Sequence, residues 1–350
     1  MIIQKNTRKQ YLDIAKGIGI ILVVLGHCPQ VYNLLKQWIY AFHMPLFFIV
    51  SGTVWCRTSH ESKGYFNKIF LVDKVKRLVV PCYLWGIIYM ILNALIDKSF
   101  SVVNIAYLLY GSQSGFSHAG SLTSLWFLPC MFFAVCLFEA IQMTLEKEDK
   151  EASILLISIV SMVIGFFLPR ISGGYPWSLD VAFLAVAFMF WGYLGKKYFE
   201  KIKAFWGFGM VTAIAVILLT LTFGLNLPYV SINNADMAGR FLGNPVFYLL
   251  DSVTGSVAVL SASKLLEKVS IIKRSLAYLG KITIPIFIIH KPVVQVLGEL
   301  LSRVGIPDIV IVMVSVVAAL GISIVAYIII RRVFPAAFGE KRYKSVIIGL

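Results

Sequence analysis

The sequence predicts an all-α, polytopic integral membrane protein: a helix bundle of about ten transmembrane helices with both termini in the cytoplasm. Three observations carry this reading. Of 350 residues, 59% are hydrophobic and only 14% charged, with a mean hydropathy of +0.84, whereas a soluble domain has about 25% charged residues; a water-soluble globule is excluded. Apolar runs of spanning length, about 20 residues, recur from end to end and leave little chain for anything else. Basic residues crowd into alternate connections. The chain, 1–350, therefore reads as a single membrane domain with no appended soluble domain, and function must lie within or between its helices.

Taken in order, the first run, 11–28, follows the basic cluster of Lys5, Arg8 and Lys9. Its end, LGHC, looks like a lipoprotein cleavage site. Such a site needs a small residue before the cysteine, where His27 stands, and Asp13 and Lys16 interrupt the run, so the segment is expected to be retained. Further runs, bounded by charge clusters or Gly, Pro and Asn turns, fall at 38–56, 78–96, 123–144, 152–169, 177–195, 204–224, 245–266, 276–296 and 308–330. The stretch 97–122, with YGSQSGFSHAGS, is too polar to span and reads as a long loop with an interfacial turn; 225–244 is a second polar loop. Cys28, Cys56, Cys82, Cys130 and Cys136 lie in or beside apolar runs with no CxxC and read as packing residues, without disulfide or zinc.

Loop charge sets the orientation. One set of alternate connections carries twenty-three Lys and Arg residues; the other carries Lys36, Lys98, Arg170, Arg240 and Arg303, one per loop. The basic set belongs in the cytoplasm. This bias accounts for most of the +15 formal charge, so a nucleic-acid partner is not needed; the partners implied by position are membrane lipids.

Ionisable residues at membrane depth cost free energy unless they face a cavity or a partner, which makes them functional candidates. Asp13, Lys16 and His27 share the first span. Eleven helical steps separate Lys16 from His27, bringing them to within about 20° of one face and about 16 Å apart along the axis. Asp13 and Lys16, at i and i+3, can offset each other's charge. A lysine snorkelling to the inner interface and a histidine ending a helix would also fit, but would not explain a polar residue recurring on that face. His43 in FHMPLFFIVSG and His290 in IPIFIIHKP lie at similar depth toward the outer ends of their spans, and Asp180 and Asp251 near the outer ends of two more. Together they predict a polar site in the outer half of the bundle, suited to general-base chemistry by imidazole. No HxxxH or ExxH spacing supports a metal.

Other features admit two readings. Trp126 and Phe127 in LWFLP fit an interfacial aromatic belt or a stacking face for a sugar. Arg77, at the end of KVKR, fits a topology determinant or a contact to the phosphates of a cytoplasmic cofactor. Ser51–Gly52 and Gly17/Gly19 suit close helix packing.

At these residues the sequence resembles the membrane acyltransferase-3 family, in particular its fucose 4-O-acetylase-like members. The family pattern of a basic residue, ten others and then histidine is met by Lys16 and His27. Further matches are HMPLFFIVSG (His43 to Gly52), RLVVP (Arg77 to Pro81), WFLP (Trp126 to Pro129) and IPIFIIHKP (Ile284 to Pro292). Many members carry arginine where Lys16 stands, which keeps the charge but changes phosphate geometry. The resemblance implies a ten-helix O-acyltransferase of the cell membrane. Its donor would be acetyl-CoA from the cytoplasm and its acceptor a hydroxyl of a cell-surface polysaccharide or lipid-linked glycan precursor. Lys16 and Arg77 would then meet the donor, His27 would act as base or acyl carrier with Asp13, His43 and His290 beside it, and Trp126, Asp180 and Asp251 would face the acceptor. The chain ends at Leu350 soon after the last run, so transfer is expected to finish within the membrane domain or on a separate protein. A proton-coupled transporter would also use intramembrane histidines, but with matched broken helices; a glycan flippase would need no acidic–basic–histidine line on the first span.

Overall fold

A computed structural model describes residues 9–55, 68–145, 150–230 and 236–340; Cys56 and the basic residues Lys5 and Arg8 lie outside them. Among the described residues every regular element is helical, and the one β pairing is an isolated bridge between Asp236 and Phe241. The chain forms α1 (Gln10–Gly26), α2 (Asn33–Tyr40), α3 (His43–Val54), α4 (Lys68–Lys74), α5 (Val80–Asp97), α6 (Val102–Tyr110), α7 (Gln113–His118), α8 (Phe127–Thr144), α9 (Lys150–Phe167), α10 (Leu179–Asn226), α11 (Pro245–Leu266), α12 (Ser270–Lys281), α13 (Thr283–Arg303) and α14 (Asp308–Val333). A π turn, Val75–Val79, joins α4 to α5, and a 3₁₀ turn, Thr123–Trp126, leads into α8.

Among the described residues, seven helical stretches are long and apolar enough to cross a membrane: Ile69–Asp97, Thr123–Thr144, Pro176–Phe199, Gly207–Tyr229, Pro245–Leu266, Thr283–Arg303 and Asp308–Val333. The other three expected spans coincide with shorter elements. The 11–28 run is the 17-residue α1, 152–169 falls on α9, and 38–56 is divided between α2 and α3. Two expected spans, 177–195 and 204–224, run together in α10, broken at Gly207 with φ +70°. The segment 97–122 is not a plain loop but carries α6 and α7, because Ser101 and Ser112 stand at their N-termini and accept the Val103 and Gly115 N–H groups. The ninth span begins later than expected, at Thr283, and the residues before it form the separate α12.

Prolines explain the irregularities. A proline inside a helix leaves the carbonyl four residues earlier without its donor, which at membrane depth has no water to replace it. Pro45 frees the Ala41 carbonyl, which accepts the Ser252 hydroxyl of α11 at 3.1 Å. Pro292 frees Ile288, whose carbonyl accepts Tyr89 Oη of α5 at 3.3 Å. Pro129 frees Leu125, whose carbonyl faces Cys82 Sγ at 3.8 Å. One repair comes from α11 and two from α5, so the breaks tie neighbouring helices of the bundle together.

Close backbone crossings fix the helices that carry those histidines. A Cβ on Gly17 of α1 would lie 2.1 Å from the Leu276 carbonyl oxygen of α12, and one on Gly280 of α12 would lie 1.8 Å from that of Asp13. The α3–α10 crossing has the same reciprocal form: Gly52 faces the Met189 carbonyl at 1.8 Å and Gly192 that of Ile49 at 1.9 Å. Small residues at such contacts let helices meet without a solvent-driven hydrophobic force. On α14, the buried stripe Ser315, Ala319 and Ser323 faces inward, while Val317 and Ile329 are 71% and 60% exposed on the lipid side.

Candidate active site

Three histidines from three helices meet beside the end of α1. His27 is the residue that terminates α1. Its ring packs edge-on against His290 of α13, with centroids 4.9 Å apart, and against Tyr40 of α2 at 6.1 Å. Tyr40 in turn packs at a tilt against His43, the first residue of α3, at 4.9 Å. The aromatic run His290–His27–Tyr40–His43 is continuous. Tyr40 Oη donates to the Gly26 carbonyl at 3.1 Å, satisfying one of the carbonyls left open at a helix end. A Cβ on Gly26 would strike the Tyr40 ring at 2.7 Å, so glycine is needed there for the tyrosine to reach.

The three imidazoles are held in the same way. In each, Nδ1 bonds the carbonyl four residues earlier: His27 to Val23 at 2.8 Å, His43 to Ile39 at 2.9 Å and His290 to Ile286 at 2.9 Å. A carbonyl can only accept, so Nδ1 carries the proton and Nε2 of the neutral ring is the basic, nucleophilic nitrogen. The Nε2 atom of His290 is buried with no hydrogen-bond partner among the described residues. Such an arrangement presents fixed imidazole lone pairs to a water-poor site, the requirement for general-base or nucleophilic catalysis.

Several residues that the sequence left unmarked complete the surroundings. Lys291, next to His290, places its ammonium against the Thr123 hydroxyl. Asp236, within the 225–244 connection, accepts Gln113 Nε2 of α7 at 2.6 Å and lies within electrostatic reach of Lys291 and Tyr40. Loss of water pushes the Asp236 carboxyl above the ordinary carboxylate range, against the pull of hydrogen bonds from Gln113 and the Ala238 N–H. Its proton is therefore held more tightly in the folded state, a contribution present at low pH and lost as pH rises through the raised value. The thermal midpoint of Asp236→Asn should consequently fall less than that of the wild type as pH is raised from about 4; parallel curves would remove Asp236 from this role.

The remaining sequence candidates stand apart from the histidine run or are already engaged. Lys16 pairs with Asp13 at 2.8 Å, the carboxylate buried and the lysine side chain 25% exposed. Arg77 sits on the π turn with a 57% exposed side chain and pairs with Asp73 at 2.9 Å. Asp180 forms a buried ion pair with Arg240 at 2.9 Å. Asp251 accepts the Thr222 hydroxyl at 2.5 Å and faces the Asn226 amide at 3.4 Å. Trp126 is buried rather than interfacial, because the 3₁₀ turn carries it into the bundle beside Phe127, which packs on Phe48 and Phe287. Among the described residues no group of three or more His, Cys, Asp or Glu could hold a metal ion.

The chain is 28% identical over 200 residues to nodulation protein NolL of Sinorhizobium fredii (strain NBRC 101917 / NGR234), a match covering 53% of this chain and 49% of the relative, so the chain spans about half of that protein's length. No solved structure matches. The model of a family described as an acyltransferase domain matches residues 9–328, nearly the whole bundle and all three clustered histidines, and on that match the chain belongs to the acyltransferase-3 family.

Proposed function

We propose that the protein transfers an acetyl group from cytoplasmic acetyl-CoA to a hydroxyl of a cell-surface polysaccharide or lipid-linked glycan precursor, in the cell membrane, with His27 as base or acyl carrier. The observation that carries this reading is the set of three Nδ1-anchored histidines on helices of an acyltransferase bundle, with Lys16 about 16 Å away along α1. Lys16 and Arg77 would attract the donor's phosphates, and its pantetheine arm would follow α1 toward His27.

As a base, His27 Nε2 takes the acceptor's proton while the hydroxyl oxygen attacks the thioester carbonyl. The C–O bond forms, the C–S bond breaks, and the CoA thiolate leaves and recovers the proton. As a carrier, His27 Nε2 attacks the thioester first: the C–N bond forms, the C–S bond breaks and the CoA thiolate leaves. The acceptor hydroxyl then attacks the acetyl-imidazolium, the C–O bond forms as the C–N bond breaks, and the hydroxyl's proton passes to the thiolate. Purified protein given radiolabelled acetyl-CoA and a glycan extract should move label into the glycan; retention of all label in acetyl-CoA, with the protein folded, would turn the reading toward transport.

The mechanism requires the donor and histidine ends to face opposite sides of the membrane. With the buried background cysteines replaced, Ser172→Cys, in the exposed turn before α10, should react with an impermeant thiol reagent from outside. Lys268→Cys, exposed between α11 and α12, should react only after permeabilisation. The reverse pattern would invert the bundle and the route of the donor.

A further inference from the structure

Three connections close round a cavity of about 240 Å³ whose lining includes polar side chains. They are the turn before α7, the segment between α9 and α10, and the bridge-forming segment before α11. The Ser112 hydroxyl donates to the Gly173 carbonyl at 2.6 Å and Tyr110 Oη to that of Gly174 at 2.8 Å. Both glycines have left-handed backbones, φ +88° and +72°, which side-chain-bearing residues rarely adopt. Arg240 secures the third connection, donating to the carbonyls of Gly165, Leu168 and Pro169 at the end of α9.

The floor is buried and the rim exposed. Ser112, Ser178, Asp180 and Arg240 are all buried, and the Asp180–Arg240 pair cancels its own charge. Arg170, at the exposed rim, donates to the Arg240 carbonyl at 2.6 Å and lies 4.9 Å from the centre of the Phe241 ring. Gln113 belongs to the cavity wall and bonds Asp236, which faces Lys291 and Tyr40. The cavity wall is thus hydrogen-bonded to a carboxyl within electrostatic reach of Tyr40, a member of the histidine run.

We propose that this cavity binds a single saccharide unit of the acceptor. Its lining combines hydroxyl, amide, carboxylate and guanidinium groups with the side chains of Tyr175 and Phe241. That mixture of donors, acceptors and aromatic side chains matches a ligand rich in hydroxyls and C–H faces; an apolar ligand would leave the polar groups of the lining without partners. Its volume is below the roughly 300 Å³ at which sites for drug-sized ligands begin, so one sugar ring fits and the rest of a chain must lie outside. The assignment rests on the proposed acyl transfer to a glycan, and it gives Asp180 a role in shaping the pocket wall through its pair with Arg240.

The test uses the full chain in lipid nanodiscs and saturation-transfer NMR with four probes: the methyl glycosides of a neutral hexose, a 6-deoxyhexose, an N-acetylhexosamine and a hexuronic acid. At least one should bind, and Ala238→Phe, which fills the cavity, should weaken it tenfold or more. Should that variant not fold, Arg170→Ala serves, with the same direction expected. Absence of binding by all four, or binding unchanged in a folded variant, overturns the assignment. Binding needs no acetyl-CoA, so a protein that binds sugar through this cavity but transfers no label keeps the pocket and loses the proposed reaction. One that transfers label while its sugar binding ignores Ala238 keeps the reaction and loses the pocket.

Discussion

His27→Ala is expected to reduce acyl transfer at least a hundredfold, and about ten-thousandfold if the imidazole supplies all of the proton transfer. Protein yield and membrane insertion should remain near wild type, because His27 terminates α1 and its loss removes a helix-end ring rather than a core side chain. The substitution also deletes the Nδ1 bond to Val23 and the contacts with His290 and Tyr40, so alanine alone confounds chemistry with positioning. His27→Asn separates them. Its amide can still donate to the Val23 carbonyl but offers no basic nitrogen, and it should be as inactive as alanine. His43→Ala and His290→Ala should lower the rate less, as partners that hold the array. Near-normal turnover by correctly inserted His27→Asn would remove His27 from the mechanism.

The convergence behind that prediction was partly legible in the sequence, and the division has a physical basis. Histidine is costly at membrane depth, so His27, His43 and His290 stand out against apolar neighbours, and their position along each run fixes their depth without knowledge of the packing. What surrounds them could not be read this way. Lys291 looks like the polar end of a span until its ammonium is seen against Thr123. Asp236 and Gln113 lie in polar connections with no hydrophobic period, and 123 residues separate them; only the tertiary fold brings them together. Asp180 was legible as an unusual intramembrane carboxylate, but its partner Arg240 was counted as an outer-loop charge. The break before His43 has a local signal in Pro45, although the repair of the Ala41 carbonyl by Ser252 comes from 211 residues away. Composition set the class, proline marked the irregularities, and neither could say which distant side chain would answer them.

Lys16→Met should produce the second large effect, and two different physical causes contribute. Its ammonium is 2.8 Å from the Asp13 carboxylate, whose side chain is 4% exposed. Removing one partner of a buried pair costs about 3–5 kcal/mol; the 25% exposure of Lys16 puts this pair at or below the lower figure. Reduced yield and a lower thermal midpoint are therefore expected before any effect on turnover. The proposed donor route adds a loss of attraction for the phosphates of acetyl-CoA, seen as a raised apparent KM for the donor. Lys16→Arg discriminates between these causes, since a guanidinium preserves both the charge and the ion pair and should restore folding and most donor affinity. Double replacement, Asp13→Asn with Lys16→Met, removes both charges of this pair; it should recover yield while keeping the raised donor KM. If the double variant also recovered a wild-type donor KM, Lys16 would be a structural partner of Asp13, and the donor's phosphates would have to be sought at Arg77. There Arg77→Gln should raise the acetyl-CoA KM with little change in that of the acceptor, because the side chain is 57% exposed and its pair with Asp73 is solvated.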